Sequence, residues 1–524
     1  EVEEEFKVSW SRYSRGLLWY NVFLGVWTRE PVGDIQALTS KVKGLKKGSI
    51  YLAQANEVYA PGSSYVLRKR PGFAKINTSA VNAAGIGTCL IHQGEIADRL
   101  ISTWSIAGTS HNIYSGTGSI SAISGGTNLT IGADNLVDAA HFHDGSNPGT
   151  ILVSRQRDLP QFINNSGTRS NFTIAGTGVT SLKPRILTVG FQRAFHGDVN
   201  IDGTVYDDRV YWSAIRDGNL IDDPTNDFES FETYEKDRVR MLRVLSDLIM
   251  VGKLNNIFSL IPTPEQTEDF TLQEEPGGRL KGPVSQQASI VIDQRCYWMG
   301  HTNLHSFDST FRIRDWADAI APTIEGLNDS RREFSVCGYN PYTKILEFCV
   351  SNAGQTTNQL VIALNTKTGA IYLWTKSRNA YGYRFDSSQY KMGGLGYVGF
   401  AYDEQTGTAG AADDATSVID ADVFTPRFWV AYGHRVKIPL AFVSVDPIGS
   451  ESLTVQFRVD DDTTWSDPTG SPYSVSGTDN KIIAIPIKRR AERLQLRFRN
   501  NAAAAVYSIK AIAVPGAVPT LVAA

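Results

Sequence analysis

Residues 334–375 read FSVCGYNPYTKILEFCVSNAGQTTNQLVIALNTKTGAIYLWT. Four runs of apolar or alternating residues lie in this stretch: Phe334–Tyr339, Lys344–Ser351, Gln359–Asn365 and Ala370–Thr375. Asn340-Pro341 and Thr366-Lys367-Thr368-Gly369 interrupt them with residues that favour tight turns. The stretch therefore predicts a meander of four short antiparallel strands. The scheme recurs upstream. Arg240–Leu245, the turn Ser246-Asp247, Leu248–Val251 and Ile257–Ile261 form one copy; Ala288–Ile292, Arg295–Met299 and Leu304–Phe307 form another. First strands fall near Cys89, Ala139, Leu187, Arg240, Ala288 and Phe334, a step of about 46 to 53 residues. One such sheet leaves both faces bare, and a ring of them buries those faces against one another. The expectation is an all-β chain built on a roughly six-bladed β-propeller. Gly382–Phe385, Tyr397–Tyr402 or the neighbours of Tyr51 are candidates to close the ring.

The flanks have other textures. Residues 1–87 read as an N-terminal lead-in, with an apolar cluster Leu17–Tyr20, a strand Ser49–Leu52 and the segment Leu67-Arg68-Lys69-Arg70-Pro71-Gly72-Phe73. Pro71 forbids a continued ladder there and Gly72 permits a sharp turn. The propeller is expected over 88–424, ending near the small polar run Thr406–Asp414. Residues 425–524 carry alternating or apolar runs at Val436–Phe442, Leu453–Val459, Lys481–Ile487, Leu494–Phe498 and Ala505–Val514, the pattern of a C-terminal β-sandwich. Helical periodicity is weak, with one short helix expected over Ala317–Leu327, broken at Pro322.

The 524 residues carry a formal net charge of −3, with 42% hydrophobic and 20% charged residues, an ordinary globular balance with no general affinity for polyanions. Cys89, Cys296, Cys337 and Cys349 are few for this length and none stand at C-x-x-C spacing. Cys349, in an apolar run, reads as a buried thiol, and the fold is expected to form in a reducing compartment without disulfides. No apolar run reaches the roughly 18 residues of a membrane span. The acidic start Glu1–Glu5 has no apolar signal core.

Candidates for chemistry are few. Asp198, Asn200, Asp202 and Gly203 have the D-x-N-x-D-G form of a calcium loop, but Arg209 stands where a bidentate Glu is expected. An Asp-rich hairpin turn is the plainer explanation. His141 and His143 alternate on one strand and so share a face, with Asp144 at the adjoining turn. A rim pair is favoured over a metal site. The motifs G-x-S-x-G and H-E-x-x-H are missing, and Asp460–Trp465 echoes a sialidase Asp-box without its Gly. No enzyme and no cofactor are expected. Lys488, Arg489, Arg490, Arg493, Arg497 and Arg499 form a basic stretch with Leu494, Leu496 and Phe498 alternating through it. It predicts a solvated edge strand, or else a surface for an acidic partner subunit.

Taken in order, Leu67–Gly72, Val244–Gly252, Pro283–Gly300 with Leu304–Asp308, and Val361–Asn365 with Ala370–Thr375 resemble the propeller-bearing nozzle or hub proteins of short-tailed bacteriophages, the group that includes packaged-DNA stabilisation proteins. The resemblance covers about two-thirds of the chain, and its force lies in the order of the segments. It implies a virion structural protein, assembled in the host cytoplasm as a homo-oligomeric ring, commonly a hexamer, below the portal and adaptor. Such a ring retains packaged DNA, conducts it at ejection through weak non-specific lumen contacts, and docks tail fibres or a needle. The alternatives are a carbohydrate-binding or glycan-cleaving propeller, expected to have an export signal and clustered aromatics, and an interaction propeller. The ten tryptophans are scattered instead, and the only Asp-Trp, Asp315-Trp316, does not recur.

Overall fold

The structure, a computed structural model, describes Leu18–Asn21, Val26–Thr28, Gln54–Asn56, Val58–Tyr59 and Leu67–Lys69 in the lead-in, residues 70–500 apart from short stretches such as 94–98, 264–269 and 405–411, and Val506–Val514. The expected strand at 49–52 and most of the 406–414 loop lie outside the described residues.

Seven antiparallel meanders follow one another along the chain. Their innermost strands are Ile86–Gln93, Val137–Asp144, Val179–Gly190, Val239–Val244, Ser289–Ile292, Val336–Asn340 and Ala380–Asp386. Each of these strands packs beside the next, and the seventh packs beside the first, so the sheets close a ring. The molecule is a β-propeller. The six starts read from the repeat coincide with, or lie within two residues of, the first six inner strands. Seven sheets stand against the roughly six expected, because the last is assembled from both ends of the ring. Ala380–Asp386, Gln389–Leu395 and Ala401–Asp403 take their fourth strand from Ala74–Lys75 in the lead-in. Asn77 secures this closure: its side chain donates to the Gly399 carbonyl at 3.1 Å and accepts from the Ala401 N–H at 2.8 Å.

Apolar clusters hold the seams between blades. Ile186, Phe195 and Trp212 of the third blade meet Leu242, Val251 and Leu260 of the fourth. Met241 and Met250 of the fourth meet Cys296, Trp298 and Phe307 of the fifth. Cys349 is buried, as its apolar run predicts, and the four cysteines are free thiols. The sixth and seventh blades add buried charge to this scheme. Lys376 lies 2.6 Å from Glu347 and 2.9 Å from Glu404, Arg378 pairs with Glu404, and the Tyr381 hydroxyl donates to Glu347 at 3.0 Å.

The C-terminal strands are joined to the ring by backbone pairing. Val436–Val459 is one long strand whose first half pairs with Lys481–Ala491 and Val506–Val514, and whose second half pairs with Tyr473–Gly477 and Arg493–Asn500. Ala421–Phe424 pairs with Arg493–Asn500 and with Gln54–Asn56. Asn56 in turn stands opposite Leu373 in the outermost strand of the sixth blade, making one sheet of ring and C-terminal part. The Leu67–Phe73 segment lies at this junction. Leu67 and Arg68 pair with Ile509 and Ser508. Buried Arg70 donates to the Thr375 carbonyl at 3.2 Å, and Phe73 stacks edge-on against Tyr402 of the seventh blade.

The expected helix near Pro322 is a 3₁₀ turn Asp318–Ile320 followed by the α-turn Ala321–Glu325. Pro322 does not break it. It occupies the first turn, where its missing N–H has no intrahelical role. No described helix is long and apolar enough to cross a membrane.

Candidate functional site

The innermost strands enclose an axial cavity of about 1290 Å³. Period-two alternation points one face of each strand at the axis, so the lining follows from the strand register. The polar part of the lining comprises Thr88, Asp138 and Ser289, near the beginnings of their strands, and Thr188 and Arg243, near the ends of theirs. The lining also carries His92, His141, His143, Tyr339 and Tyr383. Hydrogen bonds between blades bridge the polar part. The Gln286 side chain accepts from the Leu242 N–H at 2.7 Å and donates to the Leu187 and Leu242 carbonyls, both at 3.1 Å. Arg243 donates to the Gln286 and Ser289 carbonyls at 2.5 and 2.9 Å. Asp138 accepts from the Leu187 N–H at 2.8 Å, and burial holds its carboxyl above the usual range despite Arg243.

In this lining burial disfavours the charged forms of two thiols and a phenol. Burial raises the Cys337 thiol to about 12 and pushes the Cys89 thiol and the Tyr383 phenol up as well. A protonated thiol is a poor nucleophile. His141 and His143 are exposed on the cavity wall, and His141 Nδ1 lies 3.0 Å from the Thr150 hydroxyl. The side chain of Asp144 lies outside the described residues. Among the described residues no group of three or more His, Cys, Asp or Glu is placed to hold a metal ion.

The D-x-N-x-D-G segment is the hairpin between Arg193–Ile201 and Thr204–Trp212. Its three donors are not brought together. Asp198 sits at a bulge between Gly197 and Val199 with φ 52°, which takes it out of the strand's alternation. It is buried against Arg157 and, at 3.4 Å, Arg185. Asn200 accepts from the Gly203 N–H at 2.9 Å, and Asp202 accepts from the Thr180 and Ser181 N–H groups at 3.0 and 2.8 Å.

The basic C-terminal stretch is likewise met from within. Arg493 pairs with Asp461 at 2.6 Å, Arg497 with Asp422 at 2.5 Å, and Arg499 with Asp420. Its strand Arg493–Asn500 is bordered by Val436–Val459 on one side and by Ala421–Phe424 on the other, so it is not an edge. Lys488, Arg489 and Arg490 stay exposed on the preceding strand.

A cluster absent from the sequence reading lies among blades two to six. Arg155 and Arg157 follow the second strand of blade two, Arg185 lies on the inner strand of blade three, Arg238 and Arg240 open blade four, and Glu333 precedes blade six. Glu333 lies 2.6 Å from Arg238 and 4.0 Å from both Arg185 and Arg240. The signal in sequence is faint: an Arg-Gln-Arg after one strand and an Arg-Val-Arg before another.

No protein-family model matches the chain, and no curated relative is similar to it in sequence. Solved structures similar to it include a streptogramin B lyase, at 11% identity and TM-score 0.40 over 63% of this chain and 96% of that one. A virginiamycin B lyase from Staphylococcus aureus with quinupristin is 13% identical, at TM-score 0.39 over 62% and 97%. The Pan2 WD40 domain of Neurospora crassa is 8% identical, at TM-score 0.37 over 64% and 97%.

Proposed function

We propose that this chain is a virion structural protein, the nozzle or hub of a short-tailed phage tail, acting by assembly and not by catalysis. The observation that carries this is the place of the Leu67–Phe73 segment, whose resemblance to such proteins is drawn from sequence alone. It lies where lead-in, propeller and C-terminal strands join into one continuous sheet. A continuous hydrogen-bonded sheet suits a part that bears load in an assembly. We take the C-terminal strands as a β-sandwich, supported by the way the two halves of Val436–Val459 bring Ile438, Val443, Val455 and Phe457 into one apolar cluster. Lys488, Arg489 and Arg490 are the residues left to meet an acidic neighbour.

In this proposal duplex DNA does not pass along the propeller axis, whose polar part is bridged by Gln286 and Arg243. It runs through the lumen enclosed by several chains, six by the resemblance, beneath an adaptor and above fibres or a needle. Non-specific, easily broken phosphate contacts suit such a conduit, and the net charge of −3 is compatible with sliding. The test is mass measurement of the purified full chain, alone and mixed with portal–adaptor complexes. A closed ring of fixed stoichiometry is expected. A chain that stays single with those complexes and releases sugar from glycans would reverse the proposal in favour of a glycan-cleaving propeller.

A further inference from the structure

Among the described residues, the carboxylates ion-paired with Arg157, Arg185, Arg238 and Arg240 in the cluster among blades two to six are Asp198 and Glu333; Glu333 also acts on Arg155, and Asp237, itself paired with Lys253, acts on Arg240. Guanidinium groups stay charged at neutral pH, and like charges close together in a partly buried setting repel one another strongly. Arg155 is 7% exposed; its Nη2 donates to the Gln287 side chain at 2.7 Å and to the Glu333 carbonyl at 2.8 Å. Its Nη1 is buried with no hydrogen-bond partner, as is the Nε of Arg240. A buried charged donor left unsatisfied is costly, which asks for an acceptor at that place. The seam of blades six and seven handles its buried charge differently, setting Lys376 and Arg378 against Glu347 and Glu404.

We propose that this cluster binds a phosphate-class oxyanion, a divalent tetrahedral group that brings negative charge to the surplus guanidinium groups and accepts from their unpaired N–H groups. Planar guanidinium forks match the oxygen spacing of phosphate and bind it in bidentate fashion. Solvent reaches the cluster through Arg238 and Glu333, each with about 30% of the side chain exposed. Burial, together with Arg185, Arg238 and Arg240 and against the pull of Glu333, lowers Arg155 to about 9, a sign of how poorly its charge is met by the chain alone. Burial, then Arg238, lowers both Arg185 and Arg240, with Arg157 adding to the effect on Arg185 and with Asp198 and Glu333 opposing it at both. Glu333 holds the position an incoming anion would share, so it is a built-in competitor.

The proposal is tested by calorimetric titration of the full chain at pH 7.5 and constant ionic strength, with chloride as the control anion. Inorganic phosphate and phenyl phosphate are the two probes. Saturable binding of phosphate beyond chloride is expected. If phenyl phosphate also binds, the site takes a phosphomonoester on a larger molecule; if it does not, the site takes the free ion. Arg238→Gln removes a half-exposed guanidinium whose partner is Glu333, so the chain should keep its melting temperature without phosphate while affinity falls about tenfold. Glu333→Gln should raise affinity by a similar factor. The absence of saturable binding by either probe, or equal affinity in wild type and both variants, would overturn the proposal.

Discussion

Glu404 is a fully buried carboxylate, and burial alone would raise its pKa. Arg378 and Lys376 outweigh burial and hold it down to about 2. Its contribution to stability is therefore present above the ordinary carboxylate range near 4.5 and is lost as pH falls through about 2. Replacing it leaves Lys376 and Arg378 short of a counter-charge in a closed seam, so Glu404→Gln should destabilise the chain by about 3–5 kcal/mol at pH 7. Thermal melts at pH 7 and pH 3 check this: the gap between wild type and variant should narrow in acid. His196 works in a higher pH window. Burial lowers it to about 4 against a slight pull from the Gly218 backbone, so the unfolded chain takes up the proton first as pH falls. Stability from its neutral form is complete above about 6.5 and drains away as pH drops to about 4, by about 3 kcal/mol. In His196→Leu, denaturant midpoints between those pH values should change less steeply than in wild type. Residues such as these explain why the candidate sites were only partly legible. Asp198, Asn200 and Asp202 sit at calcium-loop spacing, yet a single bulge at Gly197 and Val199 diverts Asp198 to Arg157 of the preceding blade and Arg185 of its own. The arginine cluster is built from blades far apart in sequence, and no local window contains it.

At the scale of elements, the repeat was legible because each inner strand is an apolar or alternating run closed by turn residues. The first six blades are local meanders, so local pattern suffices. The seventh was not legible as a blade because its closing strand is only Ala74–Lys75, more than 300 residues before Tyr402. No propensity marks a two-residue strand whose existence depends on a distant edge. Close approach of the inner strands is a further demand that sequence hides. At the seam of blades seven and one, a Cβ on Gly382 would lie 2.0 Å from the Leu90 carbonyl oxygen, a backbone atom that no rotamer change can move. Gly382→Ala should therefore force the two strands apart and lower stability by about 1–3 kcal/mol. Gly277→Ala is the matched control, since its nearest neighbour would be 4.0 Å away at Ile313 Cδ1. Equal melting temperatures for the two variants would mean that the seam has slack.

For the molecule as a whole, the question is whether ring and C-terminal strands unfold together. Val361, Tyr372 and Trp374 of the sixth blade share one apolar cluster with Val423, Val443, Val455 and Phe498. The backbone link runs through Gln54–Asn56, a three-residue strand between Ala421–Phe424 and Ile371–Thr375. A shared core and a shared ladder make the two parts one cooperative unit, so calorimetry of the wild-type chain should give a single heat-absorption peak. Asn56 stands opposite both Leu373 and Asp422, and a proline there removes the N–H and resists a central ladder. Asn56→Pro should split the peak in two, with the C-terminal part melting first, because its neighbours along the ladder are lost while the ring remains closed by Ala74–Lys75. A single unsplit peak in the variant would show that the apolar cluster alone couples the parts. Assembly into a ring of chains should then raise the first transition more than the second if the C-terminal strands face a neighbouring copy.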